Sequence, residues 1–181
     1  MRIALLVLLS MPCQAQRNWE VFCPRPQTYA GSREAGYQSR YSASLRSTEK
    51  ASESTYGLYV QDIDASLYRG CRLRLSGALR TQIDKGWAGL WLRADAGKKP
   101  LAFDNMQSRP VRSKTDWNRY QIEVDIPAQA DSLHYGALLN GLGQIWIDDL
   151  KLEIVGNPPP GLAELRRLRN LKEPSNLGFE E

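Results

Sequence analysis

Residues 86–95 read GWAGLWLRAD, and their alternation decides the fold. Ala88, Leu90, Leu92 and Ala94 fall on one parity, while Trp87, Gly89, Trp91 and Arg93 fall on the other. In a strand, successive side chains point to opposite faces. The aliphatic parity belongs in a core, which sends the two indoles and the guanidinium to the other face. The same period runs outward in both directions. Tyr41, Ala43 and Leu45 alternate with Ser42, Ser44 and Arg46; Cys71, Leu73, Leu75 and Leu79 with Arg72, Arg74, Ser76 and Arg80; Tyr120, Ile122, Val124 and Ile126 with Arg119, Gln121, Glu123 and Asp125. Further strands are predicted at residues 56–61, 101–107, 133–139 and 144–154. In the last of these, Ile145 and Ile147 share one parity and Leu150, Leu152 and Ile154 take the other, so a bulge is expected at Asp148-Asp149. Alternating segments broken by turn residues at short intervals predict an all-β, two-sheet antiparallel sandwich. Residues 17–39, with their prolines and small polar side chains, read as irregular loop with a short strand near residues 19–22.

The amino terminus carries a compartment signal. Arg2 precedes an apolar run over residues 3–9, followed by Ser10, Met11, Pro12 and Cys13-Gln14-Ala15, the pattern of a secretory leader with a small-residue cleavage site. Residues 1–15 are expected to be a signal peptide, and the apolar run is too short to span a bilayer. The protein is therefore expected to be exported, periplasmic or extracellular, with about 165 residues left for one well-buried domain. The formal charge of the whole chain is +4, and losing Arg2 lowers it by one. So mild an excess demands neither nucleic acid nor an anionic surface. Cys23 and Cys71 would be the only remaining cysteines. An oxidising compartment favours a Cys23–Cys71 disulfide; two separately buried thiols are the alternative, because spacing alone does not establish proximity.

After Gly156 the character changes. Asn157-Pro158-Pro159-Pro160 is a stiff connector. Leu162, Leu165, Leu168 and Leu171 then recur every third residue with Arg166, Arg167, Arg169 and Lys172 among them, which predicts a short helix with one apolar stripe. Docking on the sandwich is the plainer expectation, and a membrane-surface or partner-binding helix is the other. The expected organisation is a leader over 1–15, a sandwich over 16–156, and a connector, basic helix and NLGFEE tail over 157–181.

The segments YRGCRLRLSGALRT (68–81), GWAGLWLRAD (86–95), LAFDNMQSRP (101–110), TDWNRYQIEVDIP (115–127) and GLGQIWIDDLKLEIVG (141–156) together resemble a bacterial jelly-roll domain. That domain occurs in exported proteins and is also appended to some helix-turn-helix regulators. It is similar in turn to the galactose-binding-like, carbohydrate-binding β-sandwiches. The resemblance covers most of the chain after the leader and implies a jelly-roll sandwich and, by fold analogy, a glycan ligand. Modules of this kind often open with a strand reading N-x-x-F-E, followed soon by a tryptophan. Here Trp19 stands near the start, but Asn176-Leu177-Gly178-Phe179-Glu180 closes the chain. The tail is expected to fold back as an edge strand with Phe179 in the core; a free tail with an exposed phenylalanine is the less common state. The resemblance further implies a structural calcium near the terminal strands, held by Asp148, Asp149 and Glu180 through hard oxygen ligands. An Asp pair serving only the bulge is the alternative, and no other cofactor is expected.

Enzyme constellations do not stand out. His134 is the only histidine and no G-x-S-x-G elbow accompanies it. One histidine and two cysteines do not make a zinc site of the usual type, and acidic pairs are too numerous for spacing to single out a glycosidase pair. A binding face is better supported. Trp87, Trp91 and Arg93 share a face, and Asp104, Asn105, Gln107 and Arg109, with Asn140 from the loop after Leu139, are expected to line the same sheet or its rim. Indoles stack on the C–H face of a sugar while amides and charged groups bond its hydroxyls. The alternative assigns the tryptophans to the core and the run 104–107 to side-chain bonds that close a loop. Trp117 and Trp146 are assigned to the core, beside Tyr120 and between Ile145 and Ile147. The sequence thus predicts a non-catalytic binding module for a carbohydrate or glycan, with no transmembrane segment. The rival reading is a structural or protein-interaction module of the cell envelope, with an envelope protein as partner to the basic helix.

Overall fold

The computed structural model describes residues 19–156, 161 and 174–180. The expected leader and basic helix lie outside the described residues. The strands are β1 (Glu20–Phe22), β2 (Tyr29–Ala35), β3 (Tyr41–Ser47), β4 (Tyr56–Asp64), β5 (Arg72–Ala96), β6 (Lys99–Asp104), β7 (Thr115–Asp125) and β8 (Ser132–Gly156). All their pairings are antiparallel.

Two strands organise the rest. β5 and β8 are each 25 residues long, several times the usual strand of about 5–6 residues, and they pair with each other from end to end. Residues 86–96 of β5 and 132–140 of β8 lie in a layer ordered β1-β4-β8-β5-β6. Residues 72–83 and 144–156 lie in a second layer ordered β2-β3-β8-β5-β7. Both strands change layer at the same place, where Gly86 (φ 101°) faces Gly141 (φ 91°). A Cβ on Gly86 would sit 2.1 Å from the carbonyl oxygen of Asn140, and one on Gly141 would sit 2.3 Å from that of Lys85. Only residues without side chains let the two backbones cross so closely. What the sequence suggests as four strands is therefore two bent ones, and the architecture is the predicted antiparallel sandwich.

The core is the aliphatic parity. Ala88, Leu90, Leu92 and Ala94 are fully buried, and so are Leu73, Leu75, Leu79, Ile145 and Ile147 of the second layer. Burial of each large aliphatic side chain stabilises the fold by about 1.5–3 kcal/mol. The expected bulge is present: pairing with β5 shifts between Ser76 and Ala78, opposite Lys151 and Asp148, and Asp149 takes φ 46°.

Several expectations are corrected. Residues 29–35, read as loop, form β2; it is an outer strand with only Tyr29 buried, so no alternation marks it. The strand expected over 101–107 stops at Asp104. Trp117 and Trp146 are half-buried on the outer face of the second layer, not in the core. Because Ile145 and Ile147 point inward, Trp146 between them must point out, where its indole N–H donates to Glu34 at 2.6 Å and its ring carries the Arg80 guanidinium 4.0 Å away. Cys23 and Cys71 are free thiols. Cys23 follows Phe22, which pairs with Leu58 near the start of β4, whereas Cys71 follows the turn beyond the end of that strand. The nine residues of β4, at about 3.3 Å each, separate the two ends well beyond disulfide reach.

The tail folds back, but as a turn, not as an edge strand. Phe179 is fully buried, with its ring 5.2 Å from that of Trp19 and 5.9 Å from that of Tyr59. Main-chain groups of the tail are tied down on three sides. The Trp19 indole N–H donates to the Asn176 carbonyl (3.0 Å), the Leu150 N–H to the Leu177 carbonyl (3.1 Å), and Gln61 exchanges two bonds with Ser175. Phe179→Ala should cost about 3–5 kcal/mol of stability, and deleting residues 174–181 should lower the melting temperature by several degrees. Thermal melts followed by circular dichroism check both; an unchanged transition in the deletion would show that the tail contributes nothing.

Candidate binding site

Register arranges the outward side chains of the first layer in rows across its strands. Tyr56, Asn140 and Trp87 form one row; Phe22, Leu58, Leu138 and Gly89 the next; Glu20, Val60, Gly136 and Trp91 a third; Asp62, His134, Arg93 and Phe103 a fourth. A trough of about 430 Å³ lies on this face, within the usual range of about 300–1,000 Å³ for ligand sites. Its floor includes Leu58, Leu138 and Trp91, and its polar groups are Asn105, Gln107, Asn140 and Arg93. A smaller recess of about 180 Å³ adjoins it, adding Glu20, Phe22, Val60, Asp62 and His134 and sharing Leu58, Trp91 and Arg93. The two form one continuous depression.

Exposed rings stand on both banks. Phe22 and Tyr56 on one side are 49% and 38% exposed, and Phe103 on the other is 55% exposed. Among the described residues these are three of the five large apolar side chains most exposed to water, and all three border one cleft. Trp91 differs: it is only 3% exposed and forms floor, not rim.

Six of the eight predicted residues meet here: Trp87, Trp91, Arg93, Asn105, Gln107 and Asn140. Asp104 and Arg109 do not. Asp104 Oδ1 accepts the Met106 N–H at 2.8 Å and Oδ2 accepts Arg109 Nη2 at 2.6 Å, so the carboxylate is saturated by its own loop. Asn105 Oδ1 likewise accepts the Gln107 N–H at 3.0 Å, which leaves its amide nitrogen for the trough. Between these two turns Met106, at φ 63°, lies over Gly89, where a Cβ would come within 2.8 Å of the Met106 Cβ. The polar run closes a loop by side-chain bonds to its own backbone, and Asn105 and Gln107 also line the trough. The rim residues Phe22, Tyr56 and Phe103 were not singled out by sequence. Phe103 carried a signal, since it shares parity with Asn105 and Gln107 in the segment expected as a strand.

Charged groups cluster at the smaller end. Arg93 donates to Asp95 Oδ2 through Nε (3.1 Å) and Nη2 (2.8 Å). His134 Nδ1 lies 2.7 Å from Asp62 Oδ1, and its Nε2 lies 3.3 Å from Asp95 Oδ2. With a carboxylate at each ring nitrogen, neither is directed at a serine hydroxyl, as a triad would require. Beneath the floor, burial, aided by the nearby Tyr68 and Asp62, pushes the Tyr135 phenol well above its ordinary pKa, so it stays a neutral donor to Gln61.

No established family profile matches the chain. A curated relative, the uncharacterised HTH-type transcriptional regulator YbfP of Bacillus subtilis, is 37% identical over 150 residues, which are 82% of this chain and 51% of the relative. The chain thus spans about half the length of that protein. Among solved structures, the CBM22-1 xylan-binding domain of Paenibacillus barcinonensis Xyn10C superposes with a TM-score of 0.58 at 12% identity, over 79% of this chain and 89% of that one. The family 11 carbohydrate-binding module of Clostridium thermocellum Lic26A-Cel5E gives 0.52 at 13% identity, over 77% and 88%. The enzymatically active domain of bacteriophage CBA120 tailspike protein 4 gives 0.55 at 12% identity, over 76% of this chain but 19% of that one. Identities this low establish a shared β-sandwich fold.

The residues expected to hold calcium are engaged otherwise. Asp148 is fully buried, and its oxygens accept the Tyr37 N–H (2.7 Å), the Asp149 N–H (2.7 Å) and the Ser39 hydroxyl (2.7 and 2.8 Å). Asp149 pairs with Arg119 at 2.5 Å, and Glu180 accepts the Tyr41 N–H at 3.1 Å. Among the described residues no group of three or more His, Cys, Asp or Glu side chains is placed to hold a metal. Asp148 instead ties the loop over residues 36–39 to the bulge. Melting curves with EDTA and with added calcium should superpose; a transition raised by calcium would overturn this account.

Proposed function

We propose that the protein is a non-catalytic module that recognises a carbohydrate in the trough of its first layer. The observation that carries this reading is the placement of exposed aromatic rings on both banks of a cleft whose larger part is lined by the neutral amides of Asn105, Gln107 and Asn140. Rings offer a face to sugar C–H groups, and amides both donate to and accept from hydroxyls. The likeness in fold to xylan-binding and other carbohydrate-binding modules supports it. So does the regulator relative, twice the length of the shared region, in which such a domain would recognise a ligand beside other domains. Among the described residues no helix is long and apolar enough to cross a membrane. We place the site of action outside the cytoplasm on the strength of residues 1–15. The rival interaction module would work through residues 161–172.

Binding in the millimolar to micromolar range, about 4–8 kcal/mol, is expected. A screen of the purified protein against soluble and insoluble polysaccharides, followed by titration of the hits, provides the test. Trp87→Ala should weaken binding by about 2 kcal/mol or more, and because Trp87 is half-buried a thermal melt of the variant should still show a cooperative transition. Deleting residues 161–172 should leave binding intact. Unchanged glycan binding in Trp87→Ala, or capture of an envelope protein that depends on residues 161–172, would favour the rival.

A further inference from the structure

We propose that the outer face of the second layer carries a second ligand site, centred on Arg80, that takes the carboxylate of a uronic acid residue in an acidic glycan. This face lies on the opposite side of the sandwich from the trough. Four side chains stand on it in series. The Tyr37 and Trp117 rings stack with centroids 5.4 Å apart, and the Arg80 guanidinium lies 5.5 Å from the Trp117 ring and 4.0 Å from that of Trp146. Trp146, Arg80 and Trp117 come from the adjacent strands β8, β5 and β7. The rings are held from outside the series. The Trp146 indole is bound to Glu34, and the Tyr37 N–H donates to the fully buried Asp148 at 2.7 Å.

What this series leaves unused is the hydrogen-bonding capacity of Arg80. The guanidinium makes no ion pair or hydrogen bond among the described residues, and of its three nitrogens only Nε is sealed from water, so the two Nη groups reach solvent. Glu34 is near enough to feel its charge, but that carboxylate accepts from Trp146 Nε1 (2.6 Å) and Gln144 Nε2 (2.9 Å), not from Arg80. A planar guanidinium packed between two indoles presents its Nη edge in a fixed orientation, and that fork matches a carboxylate. Little side-chain freedom is then lost on binding. The charge on offer narrows the ligand. Arg119 and Lys151 on this face are both engaged by Asp149, and Arg46 stands on β3, two strands away. One fork suits the single charge of a carboxylate better than a phosphate, which carries nearly two. Tyr37, 40% exposed at the end of the series, supplies an aromatic face for the C–H groups of the sugar. An acidic peptide would add to a strand edge, whereas β5 is interior to its layer, between β8 and β7.

The test is calorimetric titration of the full chain with oligomers of galacturonic and of glucuronic acid, with the same oligomers methyl-esterified, and with polyglutamate and inorganic phosphate as competitors. At least one acid oligomer should bind, about ten-fold more tightly than its ester. That comparison needs no variant, so it stands even where a substitution harms the fold. Arg80→Gln should weaken binding of the acid form by about ten-fold, and Arg80→Lys, which keeps the charge but loses the fork, nearly as much. Thermal melts of both variants show whether the fold is kept. Trp87→Ala should leave binding of the acid form unchanged. Polyglutamate and phosphate should compete poorly. Failure of both uronates to bind, equal affinity for acid and ester, full binding in Arg80→Gln, loss of acid binding in Trp87→Ala, or competition by polyglutamate or phosphate equal to that of the uronate would each overturn the proposal. The trough reading fails separately, on neutral glycans and Trp87→Ala, and binding there should ignore both Arg80 variants.

Discussion

The structure depends on the close crossing of two backbones at Gly86 and Gly141. A side chain on either would drive into the carbonyl of the other strand, and relief would require the strands to separate where both change layer. Because β5 and β8 stay continuous through that point, they belong to both layers and fix how the layers face one another. The crossing also sets parity. With Ala88, Leu90, Leu92 and Ala94 committed inward, Trp87, Trp91 and Arg93 must face out, and the rows across β4 and β8 are aligned with them. The position of the trough is thus a consequence of how the sandwich closes.

Rigidity at the rim follows from local chemistry. The loop over residues 104–109 is held by two successive side-chain-to-backbone turns, by the Asp104–Arg109 pair and by Met106 seated on Gly89, with the Leu90 N–H directed at its sulfur at 3.2 Å. Each bond removes a degree of freedom before any ligand arrives. Ordering costs on binding are reduced when the groups that make contact are already in place, so Asn105 and Gln107 are presented from a fixed platform. A saturated Asp104 does not line the trough but positions its neighbours that do.

Much of this was legible in the sequence because period-two alternation reports directly on which face meets the core. The parity of GWAGLWLRAD and the bulge at Asp148-Asp149 are of this kind, whereas the return of Phe179 to the interior followed from the resemblance of the NLGFE tail to the opening strand of such modules. Other features depend on partners that a linear pattern does not name. In β4 the aliphatic residues Leu58 and Val60 face the trough, while Gly57, Tyr59 and Gln61 face inward. Hydrophobicity alone would turn that strand over. Tyr59 is drawn in by the rings of Trp19 and Phe179, and Gln61 by bonds to Tyr135 and Ser175, groups remote in the chain. Trp146 goes the opposite way: its apolar neighbours Ile145 and Ile147 suggest a core, but because they point inward the residue between them must point out. Arg80 and Glu34 supply the outer surface with partners for that ring.

β4 therefore links the tail to the trough. Its inward residues Tyr59 and Gln61 hold residues 175–179, and its outward residues Leu58, Val60 and Asp62 form one wall of the site. A strand has two faces on one backbone, so whatever fixes the register and twist of the inner face fixes the outer one as well. Gln61 is bound to Ser175, 114 positions later, through both its amide oxygen and its amide nitrogen. That pairing, with the Phe179 ring wedged against Tyr59 and Trp19, clamps the wall from behind. Residues 175–179 thus help to shape the trough without lining it.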